Sequence, residues 1–150
     1  MKIRFMLLAA TALLASIQAV AADGLIAVRS PLNAKATMDR FEAVVKEKGM
    51  NVFARVDHAA GAMKVGKTLR PTEVLIFGNP MGGTPLMECA QSAGIDLPLK
   101  ALVWEDATGQ TWIGYNDPNY LAKRHDAPQC AVVPNMSKAL AAFVETTIKP

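Results

Sequence analysis

From Gly24 to Arg29 the chain is a short apolar run closed by Ser30-Pro31, which predicts a first strand. Met38, Phe41, Val44 and Val45 then recur at helical spacing. Thr37 stands ahead of them as a cap, Asp39 and Glu42 lie near the positive end, and Gly49 follows the last lysine, so a helix is predicted here. Met50 to His58 alternates, with Val52, Ala54 and Val56 on one face and Asn51, Arg55 and Asp57 on the other, the pattern of a half-buried strand. His58 has the parity of the apolar face, and Ala59 to Gly66 reads as a turn.

Val74 to Phe77 is continuous apolar sequence, as expected of a central strand, and Gly78-Asn79-Pro80 stops it. Thr84-Pro85 reads as the cap and first turn of a helix through Leu86, Cys89, Ala90 and Ala93 that ends at Gly94. Leu99 to Glu105 and Gln110 to Tyr115 flank Asp106-Ala-Thr-Gly109, a hairpin. Asp117-Pro118 opens a short helix to His125, and Met136, Leu140, Phe143 and Val144 mark the stripe of a last one. The predicted order is β-α-β-β-α-β-β-α-α. Because strands and helices do not alternate regularly, the expectation is an α+β fold, a two-layer mixed or antiparallel sheet with helices packed on one face.

Composition narrows this picture without naming a reaction. With 51% hydrophobic and 19% charged residues, 150 residues suit one compact domain. Met1 to Ala22 reads as a leader: Lys2 and Arg4 precede an apolar run from Phe5 to Leu14, and Ala19-Val20-Ala21 fits a signal-peptidase site. Thr11, Ser16 and Gln18 interrupt it, and it is short for about 30 Å of hydrocarbon. The expected mature chain is therefore a single domain over residues 23–150, periplasmic or secreted, without stable membrane insertion. Removing Lys2 and Arg4 from the 16 basic residues leaves 14 against 13 acidic ones, which argues against a strongly basic nucleic-acid binder. Export also bears on Cys89 and Cys130, an even pair that forms either a disulfide in an oxidising compartment or two buried free thiols. Neither lies in a C-x-x-C arrangement.

Four blocks stand in order along the chain: Asp57-His58-Ala59-Ala60-Gly61, Phe77 to Met87, Trp104 to Gly109, and Asn116 to Leu121. In these blocks the sequence resembles the bacterial and archaeal domain of unknown function 302 family, with the resemblance running roughly from Ala36 to His125. The resemblance implies a small two-layer α+β fold similar to the repeat of the TATA-box-binding protein, and a homodimer. It implies no established activity, and Cys89 and Cys130 are not part of the family pattern.

The candidate chemistry gathers in the same blocks. A strand ending in Gly-Asn-Pro and leading through Gly82 and Gly83 toward a helix start exposes backbone N–H groups beside a positive dipole end, which suits a small anion or carboxylate. Asn79, Gly82, Gly83 and Thr84, with His58, are the candidate ligand-binding residues; the plainer alternative is that Asn79 and Thr84 only satisfy turn and cap, and that His58 caps its turn. The P-loop ending and dinucleotide spacing are absent. With His58 and His125 the only histidines, a zinc site is not indicated; a copper site from His58, a cysteine and Met81 or Met87 is chemically allowed. The mature serines Ser30, Ser92 and Ser137 lack a nucleophile-like context. The expectation is an exported ligand-binding module without catalysis, its cofactor unspecified. The rivals are a periplasmic metal- or haem-handling protein and an uncharacterised enzyme using His58.

Overall fold

The structure, a computed structural model, describes residues 22–149, so the predicted leader lies outside the described residues except for Ala22. Among these residues, β1 (Leu25–Arg29), β2 (Asn51–Asp57), β3 (Thr72–Gly78), β4 (Leu99–Glu105) and β5 (Thr111–Asn116) form one sheet in the order β1-β5-β4-β3-β2. Every neighbouring pair is antiparallel. The helices are α1 (Ala34–Glu47), α2 (His58–Lys64), α3 (Pro80–Cys89), α4 (Pro118–Arg124) and α5 (Val133–Ile148), with a 3-10 turn at Gln91–Ile95. This is the expected α+β class. Because β1 and β2 are opposite edges, α1 must cross the width of the sheet between them.

The helical stripes read from the sequence cover one sheet face. Met38, Phe41 and Val45 of α1 and Leu140, Phe143 and Val144 of α5 meet Leu75, Phe77, Ala101, Val103 and Ile113 from the three inner strands. Phe41 packs edge-on against Phe77 with ring centroids 5.4 Å apart, and both are fully buried. Each such ring contributes about 1.5–3 kcal/mol by leaving water. The opposite face carries Val56, Val74, Leu102, Gly114 and Ala27 in one row across all five strands.

Four local expectations are corrected. Helix α1 starts at Ala34, capped by Asn33, whose side chain accepts from Ala36 N; Thr37 is buried inside it and bonds Ser30 Oγ at 2.7 Å. The alternation of β2 breaks at Phe53, where a bulge shifts the register between Val52 and Ala54. Val52 therefore shares the helix-covered face with Arg55, and Ala54 and Val56 fall on the other. The segment after β2 is a helix, α2, instead of a turn, and its cap is Asp57, which accepts from Ala60 N at 2.8 Å; His58 caps nothing there. Finally, α3 begins at Pro80 and ends at Cys89, so neither Thr84 nor Gly94 marks its limits.

The bulge places Arg55 beneath α1 among carboxylates. Its guanidinium holds Glu73 on the neighbouring strand through two nitrogens, with Nη2 donating to Oε2 at 2.9 Å, and Nη1 donates to Asp39 at 2.7 Å and Glu42 at 3.1 Å. Lys35 and Arg55 hold the Asp39 carboxyl below its ordinary range, and Lys46 and Arg55 do the same for Glu42. At the far hairpin Trp104 and Trp112 stack across β4 and β5 as a cross-strand pair. Asp106 accepts from Thr108, Gln110 and Trp112 Nε1, and these bonds, led by that from the Thr108 hydroxyl, hold its carboxyl well below the carboxylate range.

Cys89 and Cys130 are joined by a disulfide with Cα atoms 5.9 Å apart, within the span a bridge allows. The bridge ties the end of α3 to the segment leading into α5 and closes a loop of 41 residues. Closure of that length is worth about 4 kcal/mol in the chain-entropy account. A Cys89→Ser, Cys130→Ser variant is expected to lose stability of that order in urea denaturation, and reductant is expected to shift the wild-type midpoint while leaving the variant unmoved.

Candidate functional site

The Gly-Asn-Pro stop at the end of β3 is also the start of α3. Asn79 is extended (φ −146°, ψ 158°), which ends the strand and frees its side chain to cap. Its Oδ1 accepts from Gly82 N at 2.8 Å, and its carbonyl accepts from Gly82 N at 3.2 Å and Gly83 N at 3.1 Å. Pro80 follows at the first helical position, where its missing N–H removes no helical bond. The backbone donors of Gly82 and Gly83, expected to face an anion, are thus engaged by Asn79. Thr84 is an exposed interior residue of the helix, not its cap.

A cavity of about 710 Å³ opens between α3 and α5 at the end of the sheet where β3 stops and β4 begins. Its walls are mainly apolar: Met81 and Met87 from α3, Met136 and Phe143 from α5, Met50 just before β2, and Phe53 within it. The polar side chains on it are Asn79, Thr84 and Asn135, and among the described residues no charged side chain lines it. Its size lies within the usual 300–1,000 Å³ of small-molecule sites. Asn79, Gly82, Gly83 and Thr84 all border this space.

His58 does not. Asn51 pairs with Gly78 at one end of the β2–β3 ladder and Asp57 pairs with Glu73 at the other, so Asn79 and His58 lie at opposite ends of a strand about 20 Å long. His58 is exposed at the first position of α2. A pocket shared by His58, Asn79 and Thr84 is therefore corrected: antiparallel pairing places the end of β2 beside the beginning of β3. The same separation takes His58 away from Met81 and Met87, the sulfurs considered for copper. Among the described residues no group of three or more His, Cys, Asp or Glu side chains is placed to hold a metal ion.

Sequence reasoning missed Met50, Asn135, Met136 and Phe143 as lining residues. Met136 and Phe143 belong to the stripe of α5, which signals burial and does not reveal that part of the buried face borders a void.

The architecture is that of a two-layer α+β domain with an uncharged cavity at one end of its sheet. The sequence confirms the class: residues 26–143 match the family described as Domain of unknown function DUF302, and the chain belongs to it. An uncharacterized conserved DUF302 protein from Bacillus stearothermophilus has a similar crystal structure, with a TM-score of 0.76 and 23% identity, covering 84% of this chain and 99% of that one. That likeness concerns the fold. Among curated proteins, the fluoride-specific ion channel FluC 1 of Brucella suis biovar 1 (strain 1330) is 50% identical over 103 residues, covering 69% of this chain and 41% of that protein. FluC 2 of Brucella melitensis biotype 1 matches equally over the same length, with 38% of it covered. The chain thus spans about two fifths of the curated relatives it matches.

The capping geometry separates two residues that look alike in sequence. Asn79→Ala is expected to destabilise by about 1 kcal/mol, the usual loss at an N-cap, and Thr84→Ala by less than about 0.5 kcal/mol. Equilibrium urea unfolding of the two variants checks the order.

Proposed function

We propose that this protein is a ligand-binding module whose ligand is a small, mainly apolar molecule with one uncharged polar end. The observation that carries this reading is the lining of the end cavity, in which three polar side chains stand among methionine, leucine and phenylalanine without a charge. Apolar contact supplies the affinity, and Asn79, Thr84 and Asn135 orient the polar end. Four methionines on the walls suit ligands of irregular shape, because their flexible, polarisable side chains repack easily. The small anion expected from the glycine turn has weaker support: its backbone donors are engaged, and no cation lines the cavity among the described residues.

The protein acts outside the cytoplasm on this reading, supported by the leader-like segment and by a disulfide, which persists in oxidising compartments. No helix among the described residues is long and apolar enough to cross a membrane, and the stretch shared with the longer relatives named as fluoride channels covers 41% of the first of them.

The test uses 1-N-phenylnaphthylamine, a neutral apolar fluorophore. Saturable binding of about one probe per chain is expected, unaffected by millimolar phosphate. Ala139→Trp, which fills the cavity from α5, is expected to weaken binding at least about tenfold, the effect of roughly 1.4 kcal/mol. Absence of saturable binding, or unchanged binding in Ala139→Trp, overturns the reading.

A second proposal, the homodimer, rests on the face of the sheet turned away from α1 and α5. Val56 is 40% exposed there and Val74, Ile76 and Leu102 are half-buried, a row of β-branched and aliphatic side chains suited to a second copy. Light scattering on the wild type is expected to report a dimer and Ile76→Glu a monomer; a monomeric wild type at tens of micromolar ends the proposal.

A further inference from the structure

A polar cluster stands apart from the cavity, on segments stapled by the disulfide. Ser92, in the 3-10 turn Gln91–Ile95, has its hydroxyl 3.0 Å from Nδ1 of His125, which caps the end of α4. On the other side of the ring, Nε2 lies 2.7 Å from Oδ2 of Asp96. Arg124 Nη1 donates to both oxygens of Asp96, at 2.9 and 3.2 Å. The His125 and Asp96 side chains are 7% and 13% exposed, whereas Ser92 faces solvent.

The three roles of a serine hydrolase are present in this order: an accessible hydroxyl, a shielded imidazole in contact with it, and a carboxylate fixing the imidazole. With Asp96 accepting from Nε2–H, the neutral ring keeps its lone pair on Nδ1, where it faces the Ser92 hydroxyl. The ring nitrogens are exchanged relative to the familiar triad, which is defined by geometry and roles. Arg124 holds the carboxylate in place, and the Cys89–Cys130 bridge joins the chain three residues before Ser92 to the chain five residues after His125.

We propose that Ser92, His125 and Asp96 form a nucleophilic site that hydrolyses small carboxylic esters, an activity beyond ligand binding in the cavity. Ser92 is exposed and lines neither that cavity nor the smaller one near Tyr120, so its hydroxyl is open to a small ester arriving from solvent. In the first half-reaction Nδ1 takes the Ser92 proton as Oγ bonds to the ester carbonyl carbon. The C–O bond to the alcohol then breaks, and the alcohol leaves with the proton from Nδ1. In the second, Nδ1 takes a proton from water as its oxygen attacks the acyl-serine; the carboxylic acid departs and Ser92 regains its proton. The balance is ester plus water giving acid plus alcohol.

The experiment uses the oxidised mature chain with a fluorophosphonate probe, whose phosphorus bonds to the serine oxygen with loss of fluoride, and with p-nitrophenyl acetate. Peptide mass spectrometry is expected to find the phosphonyl group on Ser92, and the acetate ester to give an initial burst of about one p-nitrophenol per chain. Ser92→Ala is expected to abolish both. His125→Gln, and Asp96→Asn as the variant closest in shape, are expected to slow labelling by at least about 100-fold, the ordinary contribution of a positioned base. His58→Ala is expected to retain the burst, since that imidazole stands elsewhere on the surface. Circular dichroism confirms that each variant is folded. No label on Ser92, an undiminished labelling rate in both folded His125→Gln and Asp96→Asn, or loss of the burst in His58→Ala overturns the proposal and leaves the cluster as a tie between the 3-10 turn and α4. Probe binding in the cavity is measured separately, so failure here does not bear on the proposed ligand.

Discussion

The ladder between β2 and β3, with its single extra residue at Phe53, sets the relations on which the rest of the molecule depends. Beyond the bulge, Arg55 takes the helix-covered position opposite Leu75, where an apolar side chain would be expected. A guanidinium there must be satisfied, and Glu73, Asp39 and Glu42 surround it from the neighbouring strand and from α1. Partly buried ion pairs of this kind are weak evidence for stability, since desolvation offsets attraction. Their geometric demand is stronger: a slip of β2 by one residue would turn Arg55 to the open face and leave those carboxylates without it. The cluster therefore fixes register, and through register it fixes which residues meet at each end of the sheet.

That end-to-end relation explains why the fold was more legible in the sequence than the site. The stripe Met38, Phe41, Val44, Val45, the run Val74 to Phe77 and the Trp104–Trp112 hairpin are local patterns with one physical solution each, and they became α1, β3 and the β4–β5 pair. The bulge in β2 was hidden because Val52, Ala54 and Val56 alternate well on paper, and an inserted residue leaves no compositional mark. Helix α3 was misplaced because Gly82, Gly83 and Pro85 are poor helix formers; the cap from Asn79, Pro80 at the first position and the disulfide at its end outweigh them. The turn Gly78 to Thr84 was recognisable as a place of interest. Its supposed partner His58 was not, since adjacency in motif order says nothing about which end of an antiparallel ladder a residue occupies.

The disulfide adds a second constraint, and it acts on both sides of one short helix. Toward the sheet, Met81, Gly83 and Met87 of α3 form one wall of the cavity, and Met136 and Phe143 of α5 form another. A helix of ten residues containing two glycines and an interior proline holds its position poorly by propensity alone. Joined to Cys130, just before α5, it cannot drift from the opposite wall without straining a covalent link. The bridge thus cross-links the two helical walls of the cavity.

The same link reaches the other side of α3, where the chain emerges toward Ser92 and Asp96. Residues 33 and 29 positions distant from His125 come into hydrogen-bonding range on segments that the Cys89–Cys130 bridge joins. No spacing rule could have found that cluster, since Ser92 and Asp96 are far along the chain from Arg124 and His125; Ser92 lies on a 3-10 turn read from the sequence as part of a longer helix, and Asp96 follows that turn. Reduction of one bond is therefore expected to loosen two unrelated places at once: the apolar cavity through its wall, and the polar cluster through its separation. A protein in which both places respond together to a reductant would show that the cross-link positions each of them; one in which neither responds would place that positioning in the packing of α4 against α5 and of Leu86 against Ala93, Ala122 and Met136.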